Sequence, residues 1–356
     1  MAEEGKEAFV TLATNDTYVL GCLVLGESLR RTKTQRKLVV LITKGVSECL
    51  RKNLKDVFDE VCEVDLISSH DYKNLQLLGR PDLNVTFTKL YCWKLTQYSK
   101  CVFLDADTLV LDCVDELFEK EELSAAPDPG WPDCFNSGVF VMQPNEETYK
   151  SLIQFAKTEG SFDGGDQGLL NLYFKDWATK DIKKHLPFVY NVVSQAFYSY
   201  LPAFKQFKQN VKIVHFLGAI KPWQHCYNAK TKKVTPLPNS GHDPDFLQRW
   251  WNIYMESVYP VIDHGKSEEL KEFNLSTASP SFLPTSPSPP PLSRIALTGP
   301  IIGGDLSGHG QRAVMDEFEK RMAWEHGEID YMGQDSFDNI QRKLDLNLNQ
   351  NQSGSM

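Results

Sequence analysis

Two aspartates follow one short apolar segment of the chain. Asp105 and Asp107 end the stretch KCVFLDAD, in which residues 101–104 form an apolar run of strand length. On an extended backbone, residues i and i+2 point to the same face, so both carboxylates can aim at one point just beyond the strand. Ligands of open α/β sheets bind at the carboxyl ends of the strands, and paired carboxylates are hard oxygen ligands. The pattern therefore predicts a site for Mg²⁺ or Mn²⁺ carrying a diphosphate.

The acid-x-acid pattern alone is weak, because the chain also contains it at residues 63–65 and 243–245. A solvated surface turn is the common explanation of such a triplet. Residues 105–107 differ in having apolar sequence on both sides, at 101–104 and 108–111. Burying a carboxylate costs several kcal/mol, roughly, unless it is paired or bound to a metal. The flanks therefore favour a functional pair.

A histidine at the end of another apolar strand can complete this site. His215 ends the run VKIVH, and a lone histidine in such a place is usually a core residue. If it joins Asp105 and Asp107, two carboxylates and one imidazole suit Mn²⁺ better than Ca²⁺. Gly218 would then let the backbone approach a phosphate, and Lys221 would add a positive charge to it.

Three further segments carry groups that can act on a sugar. The loop SFDGGDQ at residues 161–167 opens a helix, and N-capping by Asp166 is its default structural explanation, which is compatible with function. Asp163 and Asp166 can also bind sugar hydroxyls and stabilise oxocarbenium-like charge. Lys89 is by default a surface lysine, whereas a functional one would neutralise a leaving diphosphate or align the donor. The segment FYSYLP at 197–202 is by default structural packing, although its phenols can accept a sugar.

The amino-acid composition excludes several classes of protein. The chain has 356 residues, 41% of them hydrophobic, and a formal net charge of −9, which argues against nucleic-acid binding. No signal peptide and no apolar stretch long enough to cross a bilayer are visible. The eight cysteines include no C-x-x-C pair and are interpreted as reduced thiols. We therefore expect a cytoplasmic protein without membrane contact.

Alternating strands and helices predict an α/β fold. The near-continuous apolar run KLVVLIT indicates a strand buried on both faces of a parallel sheet. The first five elements form a Rossmann-like half with right-handed crossovers. Predicted strands cover residues 8–14, 37–43, 60–67, 101–104, 139–142 and 211–216, and predicted helices cover 17–31, 47–57, 87–98, 146–157, 167–174 and 246–258.

The amino-acid composition of the chain changes after about residue 265. Residues 276–300 are dense in Ser, Pro and Thr, which predicts a disordered tether. Beyond it, Phe337, Ile340 and Leu344 lie on one face of a short amphipathic helix with Asp335 or Ser336 as its N-cap. This helix either folds back on the main domain or docks in a partner's groove, and the pattern favours the partner.

Five motifs stand out along the chain: LATNDTY at 12–18, FLDAD at 103–107, DPGWPDCFNSG at 128–138, FDGGDQG at 162–168 and HFLG at 215–218. As a set they resemble those of the glycogenin family, the self-glucosylating primers of glycogen synthesis. These are retaining glycosyltransferases with a GT-A fold. The similarity runs over about residues 8–260, and residues 324–333 and 335–340 resemble the family's glycogen-synthase-binding tail.

The resemblance implies UDP-glucose as donor and Mn²⁺ as cofactor, with Mg²⁺ as the other candidate. By position, Asp105, Asp107 and His215 are the metal ligands. The nucleotide-sugar contacts implied are Leu12, Thr14, Asn15, Tyr18 and Arg80 for uridine and ribose, Asp105, Ala106, Asp107 and His215 through the metal site, Gly218 and Lys221 for the diphosphate, and Asn136, Ser137, Asp163, Asp166 and Gln167 for the sugar.

The resemblance also implies catalytic roles and partners. Lys89 would stabilise the transition state, and Tyr198 would be the glucose acceptor with Tyr200 as runner-up. No strong protein nucleophile is obvious, and Asp163 is the best candidate for a double displacement. A front-face route without a protein nucleophile stays open. The implied partners are glycogen synthase, the glucan chain and a second copy of the chain.

The implied organisation is a GT-A domain over 1–264, a linker over 265–312 and a synthase-binding segment over 313–356. Two alternatives remain at this stage. One is a catalytically inactive, transferase-like scaffold that recruits glycogen synthase, and the other is an ordinary transferase acting on a separate acceptor.

Overall fold

The computed structural model describes residues 6–179, 181–195 and 201–262, together with a short strand at 275–276. Tyr198, Tyr200, nearly all of the predicted linker and the whole C-terminal segment lie outside the described residues. Within the described part, no helix is both long and apolar enough to cross a membrane.

Six strands form the central sheet, in the order β3-β2-β1-β4-β7-β6. The first four in that order are mutually parallel, and β7 and β6 are each antiparallel to the neighbour before them. Two small sheets have the orders β5-β9-β8 and β11-β10-β12. The strands are β1 Glu7–Ala13, β2 Lys37–Ile42, β3 Glu60–Glu63, β4 Lys100–Leu104, β5 Thr108–Val110, β6 Ser124–Pro127, β7 Phe135–Met142, β8 Val192–Val193, β9 Ile213–His215, β10 Cys226–Asn228, β11 Lys233–Thr235 and β12 Leu275–Ser276.

Helices cover both faces of the central sheet. The α-helices are α1 Asp16–Arg31, α2 Glu48–Val57, α3 Tyr72–Leu78, α4 Glu146–Thr158, α5 Asp166–Tyr173, α6 Leu201–Phe207 and α7 Pro244–Ile253. A π-helical turn, Tyr254–Val258, follows α7. The 3-10 helices are Pro81–Lys94, Asp115–Glu119, Ile182–Lys184, Phe188–Tyr190, Lys208–Asn210, Pro222–Gln224 and Tyr259–Val261.

The predicted α/β fold with a mixed, mostly parallel sheet is confirmed. The prediction was wrong in several details, among them the start of β7, which lies at Phe135 instead of residue 139, and the absence of α3 from the predicted helices. The third strand ends at Glu63 instead of residue 67, and the aromatic helix changes to a π-helical turn after Ile253. The helix predicted over 87–98 is a 3-10 helix over Pro81–Lys94. Apolar residues three apart fit 3.0 residues per turn as well as 3.6, so spacing could not separate the two forms.

Two apolar clusters lie on the two faces of the sheet. Along β1, Phe9 joins the cluster that contains the buried residues of α1, α2 and α7. Its neighbours Ala8 and Val10 join the other cluster, with residues of the 3-10 helix Pro81–Lys94, α4 and α5. This alternation is the two-residue period of a strand. Burial on both faces explains why β1 and β2 are near-continuous apolar runs.

A buried histidine pair makes the fold sensitive to acid. His225 is 3% exposed, and its Nδ1 accepts a hydrogen bond from the Leu237 N–H at 2.8 Å. Its Nε2 is buried and has no partner within the described residues. Burial and the adjacent His242 lower the pKa of His225 to about 3. A histidine of the unfolded chain has a pKa of about 6.5, so the unfolded state takes up this proton first as the pH falls.

His225→Asn should therefore reduce the loss of unfolding free energy that occurs as the pH falls. The wild-type protein should lose about 3 kcal/mol of unfolding free energy through this group between pH 7 and pH 4, because only the unfolded state is protonated there. Asparagine keeps an acceptor for Leu237 and does not titrate. Urea denaturation at the two pH values measures the difference. Exposed His70→Asn is the matched control and should leave the pH dependence unchanged. Equal slopes for His225→Asn and wild type would contradict the prediction.

Candidate active site

The two aspartates and the histidine lie together at the carboxyl end of β4. Asp105 and Asp107 form the turn between β4 and β5, and antiparallel pairing of β5 with β9 sets Thr108 opposite His215. His215 Nε2 is 3.4 Å from Asp107 Oδ1 and 4.0 Å from Asp105 Oδ2. One ligand atom from each residue lies within 4.8 Å of the others. Two carboxylate oxygens and one imidazole nitrogen are donors that fit Mn²⁺ or Mg²⁺.

Two lysines neutralise these carboxylates. Lys221 Nζ contacts Asp107 Oδ2. Lys89 Nζ lies 3.0 Å from Asp105 and 2.7 Å from Asp166. Lys89 is only 3% exposed, so the alternative of a surface lysine is wrong. The site is therefore a compact arrangement of alternating charges.

The pKa values of these groups follow from burial and pairing. Burial would raise the pKa of Asp107, but Lys221 and His215 hold it well below its usual range. Burial raises the pKa of Asp105. The nearby Lys89 opposes this increase, whereas the carboxylates of Asp107 and Asp166 add to it. Burial would lower the pKa of Lys89, yet the two carboxylates hold it well above its usual value. The lysine therefore stays charged at neutral pH.

The loop before α5 is built around Asp163. Its Oδ1 accepts hydrogen bonds from the Ser161 hydroxyl at 2.8 Å and from the N–H groups of Gly165 and Gly168, at 2.8 and 3.1 Å. A Cβ on Gly168 would come 2.4 Å from that oxygen, so any other residue there would displace the Asp163 carboxylate. The default explanation, N-capping by Asp166, does not hold, because Asp166 is the first residue of α5 and Gly165 is the cap. Asp163 instead accepts from the N–H groups of Gly165 and Gly168, and Asp166 pairs with Lys89.

The predicted sugar-side residues are joined through Asp128, for which the sequence indicated no role. Asp128 Oδ2 accepts hydrogen bonds from Asn136 Nδ2 at 2.9 Å and from Gln167 Nε2 at 3.1 Å. Gln167 Oε1 in turn accepts from the Ser137 N–H at 3.2 Å, and the Ser137 carbonyl accepts from Lys89 Nζ at 3.1 Å. These contacts hold the predicted sugar-side groups beside the charged cluster.

Asn191 is a second residue that the sequence did not reveal. It is 1% exposed, and its Oδ1 lies 3.0 Å from His215 Nδ1. Strand β7 packs so closely against the His215 ring that a Cβ on Gly138 would lie 2.2 Å from His215 Cε1. No local pattern marks Asn191, because it precedes a strand of two residues and its partners are distant in sequence.

The predicted uridine-side residues lie at the start of α1 and in the segment before the 3-10 helix Pro81–Lys94. Leu12 and Thr14 lie at the end of β1, and Asn15 caps α1 by accepting from the Tyr18 N–H at 3.1 Å. The Arg80 guanidinium forms a bidentate pair with Asp82. Burial raises the pKa of Tyr18 well above its usual value, with Asp107 as the largest charged contributor.

The diphosphate-side residues follow β9. Gly218 has φ +111°, a conformation that L side chains rarely adopt, and the buried Lys221 reaches back to Asp107. The structure also brings Ala106 under α1, where a Cβ on Gly21 would lie 2.4 Å from the Ala106 carbonyl oxygen. This close packing holds α1 against the turn formed by residues 105–107.

Comparison with known proteins identifies the family. The model of glycosyl transferase family 8 matches residues 9–226. Glycogenin-1 of Oryctolagus cuniculus is 54% identical over 347 residues, which is 96% of this chain and 99% of that protein. The chain belongs to the glycogenin family. Glycogenin-2 of Homo sapiens is 60% identical over 268 residues, covering 74% of this chain and 54% of that one.

This glycogenin-family chain is therefore a glycosyltransferase with an α/β fold, as predicted. Among solved structures, a crystal structure of an active-site mutant of LgtC matches 70% of this chain and 95% of that chain. The sequence identity there is 16% and the TM-score is 0.47.

Proposed function

We propose that this glycogenin-family chain transfers glucose from UDP-glucose to its own Tyr198 and then extends it by α-1,4 links into a short glucan that primes glycogen synthase. The observation that carries the proposal is the convergence of Asp105, Asp107 and His215 at the carboxyl end of β4. Nucleotide ligands of open α/β sheets bind at this edge. Similarity to Glycogenin-1 over 96% of the chain supports the substrate and the product.

The nucleotide end of the site is built for a diphosphate. Mn²⁺ held by Asp105, Asp107 and His215, or Mg²⁺ in its place, would supply Lewis-acid charge to the departing UDP. Gly218 presents backbone without a side chain, and Lys221 holds a positive charge beside Asp107. Leu12, Thr14, Asn15, Tyr18 and Arg80 would hold the uridine and ribose.

The sugar end of the site orients glucose through amides and one cation. Asn136 and Gln167 are held by Asp128, so their rotamers are set before the sugar binds. Preset polar groups stabilise developing charge without reorganising during the reaction. Lys89 remains charged between Asp105 and Asp166, where it can balance charge that moves to the leaving group.

The hydrogen bonds of Asp163 favour the front-face route. Its Oδ1 already accepts three hydrogen bonds, which lowers its nucleophilicity and holds it in the loop before α5. We propose that Oδ2, which takes part in none of these three bonds, is the oxygen that would bind a sugar hydroxyl. A double displacement would require a glucosyl ester on Asp163, and mass spectrometry of rapidly quenched protein should show none at that residue.

Self-glucosylation gives a direct test of the acceptor. Purified protein incubated with UDP-glucose and Mn²⁺ should gain a ladder of hexose masses, because the acceptor belongs to the same chain. Tyr198→Phe should abolish the ladder by removing the phenolic oxygen, while the matched variant Tyr200→Phe should retain it. Intact-mass spectrometry measures both.

Other outcomes, and two related assays, select the alternatives. A ladder that persists in Tyr198→Phe would move the acceptor to Tyr200 or elsewhere. When a glucan is added to the reaction, additions only to that glucan would indicate an ordinary transferase. In a separate binding assay with UDP, an absence of metal-dependent binding would indicate a scaffold.

We also propose that residues 313–356 bind glycogen synthase at the end of the 265–312 linker. Deleting residues 314–356 should leave self-glucosylation intact, because the proposed catalytic residues all precede the linker. The same deletion should abolish capture of glycogen synthase in a pull-down. Capture that survives the deletion would contradict this role.

A homodimer and a cytoplasmic location complete the proposal. A dimer would let one subunit present its Tyr198 to the site of the other, and sedimentation velocity of the full chain tests for it. Mixing an inactive variant that retains Tyr198 with an active Tyr198→Phe variant tests transfer between subunits. A purely intramolecular reaction would leave both chains unmodified.

A further inference from the structure

Hydrogen bonds connect the proposed metal ligand His215 to the sugar side of the site. His215 Nδ1 is 3.0 Å from Asn191 Oδ1. Asn191 Nδ2 donates to Asn136 Oδ1 at 2.8 Å, and Asn136 Nδ2 donates to Asp128 Oδ2 at 2.9 Å. All three amide and imidazole side chains are buried. Buried networks of this kind hold each member in one orientation when every member is satisfied.

The direction of each bond follows from groups that can only donate or only accept. The Gly138 N–H can only donate, and it lies 3.0 Å from Asn136 Oδ1. The Asp128 carboxylate accepts on the other side of the same amide. Asn136 is therefore fixed with its oxygen toward Asn191. Asn191 must then turn its NH₂ toward Asn136 and its oxygen toward His215.

We infer that Asn191 is a positioning residue that places the imidazole proton of His215 on Nδ1. An amide oxygen facing Nδ1 requires an N–H there, which leaves Nε2, the ring nitrogen that faces Asp105 and Asp107, as the atom available to a metal ion. Histidine ligands of metals are commonly held in this way by a hydrogen bond from the second ring nitrogen. The inference rests on the proposed metal site and adds Asn191 to the residues that hold it in place.

The same residue ties the metal site to glucose recognition. Asn191 bonds to both His215 and Asn136, so a rotation of one side chain would misalign the other. The His215 ring packs against the backbone of Gly138 so closely that even a Cβ there would overlap it. The ring therefore cannot move toward β7. The imidazole is thus held by packing on one side and by the Asn191 oxygen on the other.

Long-range ¹H–¹⁵N NMR of the metal-free, full-length protein tests the tautomer directly. With His215 assigned by comparison with His215→Gln, its Nδ1 should carry a proton, whether or not Nε2 also carries one toward the carboxylates. In Asn191→Ala the Nδ1 proton should be partly lost, whereas Asn191→Asp keeps an oxygen opposite Nδ1 and should keep that proton. A wild-type Nδ1 without a proton would overturn the inference, and that measurement needs no variant of Asn191 to fold.

Binding of Mn²⁺ alone, followed by the EPR signal of the free ion, gives a second readout. Asn191→Ala should weaken Mn²⁺ binding by about 10- to 100-fold. Asn171→Ala is the matched control, because Asn171 bridges Phe135 and Gln167 nearby and does not contact His215. Equal weakening in the control would show a general structural effect and overturn the inference. If the wild type binds no Mn²⁺, the proposed metal site fails, while the tautomer still decides the role of Asn191.

Discussion

Asp107→Asn should lower the rate of self-glucosylation by about 10³-fold or more. Both carboxylate oxygens of Asp107 face the site, Oδ1 toward His215 Nε2 at 3.4 Å and Oδ2 toward Lys221. The amide removes the negative charge that attracts a divalent cation and turns an NH₂ group toward one of these two partners. Loss of metal charge at the leaving diphosphate removes several kcal/mol of transition-state stabilisation, and about 1.4 kcal/mol corresponds to tenfold in rate.

The measurements for Asp107→Asn are the initial rate of hexose addition and the affinity for Mn²⁺. Asp65→Asn is the matched control, because Asp65 is 77% exposed in its side chain and forms only a surface pair with Lys44 at 3.3 Å. That control should stay within twofold of wild type, since exposed ion pairs contribute about 0–1 kcal/mol. Wild-type Mn²⁺ affinity in Asp107→Asn would remove Asp107 from the set of ligands.

Lys89→Met should lower kcat by about 10²- to 10³-fold while leaving Mn²⁺ binding intact or tighter. A preorganised charge that acts on the transition state has an effect of this size. Its removal also takes a competing cation away from Asp105, 3.0 Å distant, so a metal ion there should gain affinity. Methionine has a similar volume and little helix penalty, which limits the change to the charge.

The same variant should be less stable without metal. Asp105 and Asp166 share Lys89, and removing one partner of a buried ion pair typically costs about 3–5 kcal/mol. Addition of Mn²⁺ should restore part of that loss, and thermal unfolding with and without Mn²⁺ measures it. Lys94→Met, a change in the same 3-10 helix at an exposed lysine, should alter neither rate nor stability much. A parallel fall of Mn²⁺ affinity and rate in Lys89→Met would contradict a role in the chemical step.

Local sequence patterns predicted the architecture well. The apolar run of β2 is readable because strand period and burial depend on residues close in sequence. Local reasoning failed for Asp166, because Asp163 accepts from the N–H groups of Gly165 and Gly168. It also missed α3, which has few buried residues and therefore little periodic signal.

The sequence by itself determined the α/β alternation, the placement of Asp105 and Asp107 at the end of a buried strand, and the set of motifs typical of the family. These features follow from strand and helix periods and from residue order. Only the tertiary structure decided that His215 meets the aspartates, through the register of β5 on β9, and that Lys89 is buried between carboxylates. It also revealed the roles of Asp128 and Asn191 in the site. Their hydrogen bonds join residues 8 to 55 positions apart, and such bonds leave no local sequence pattern.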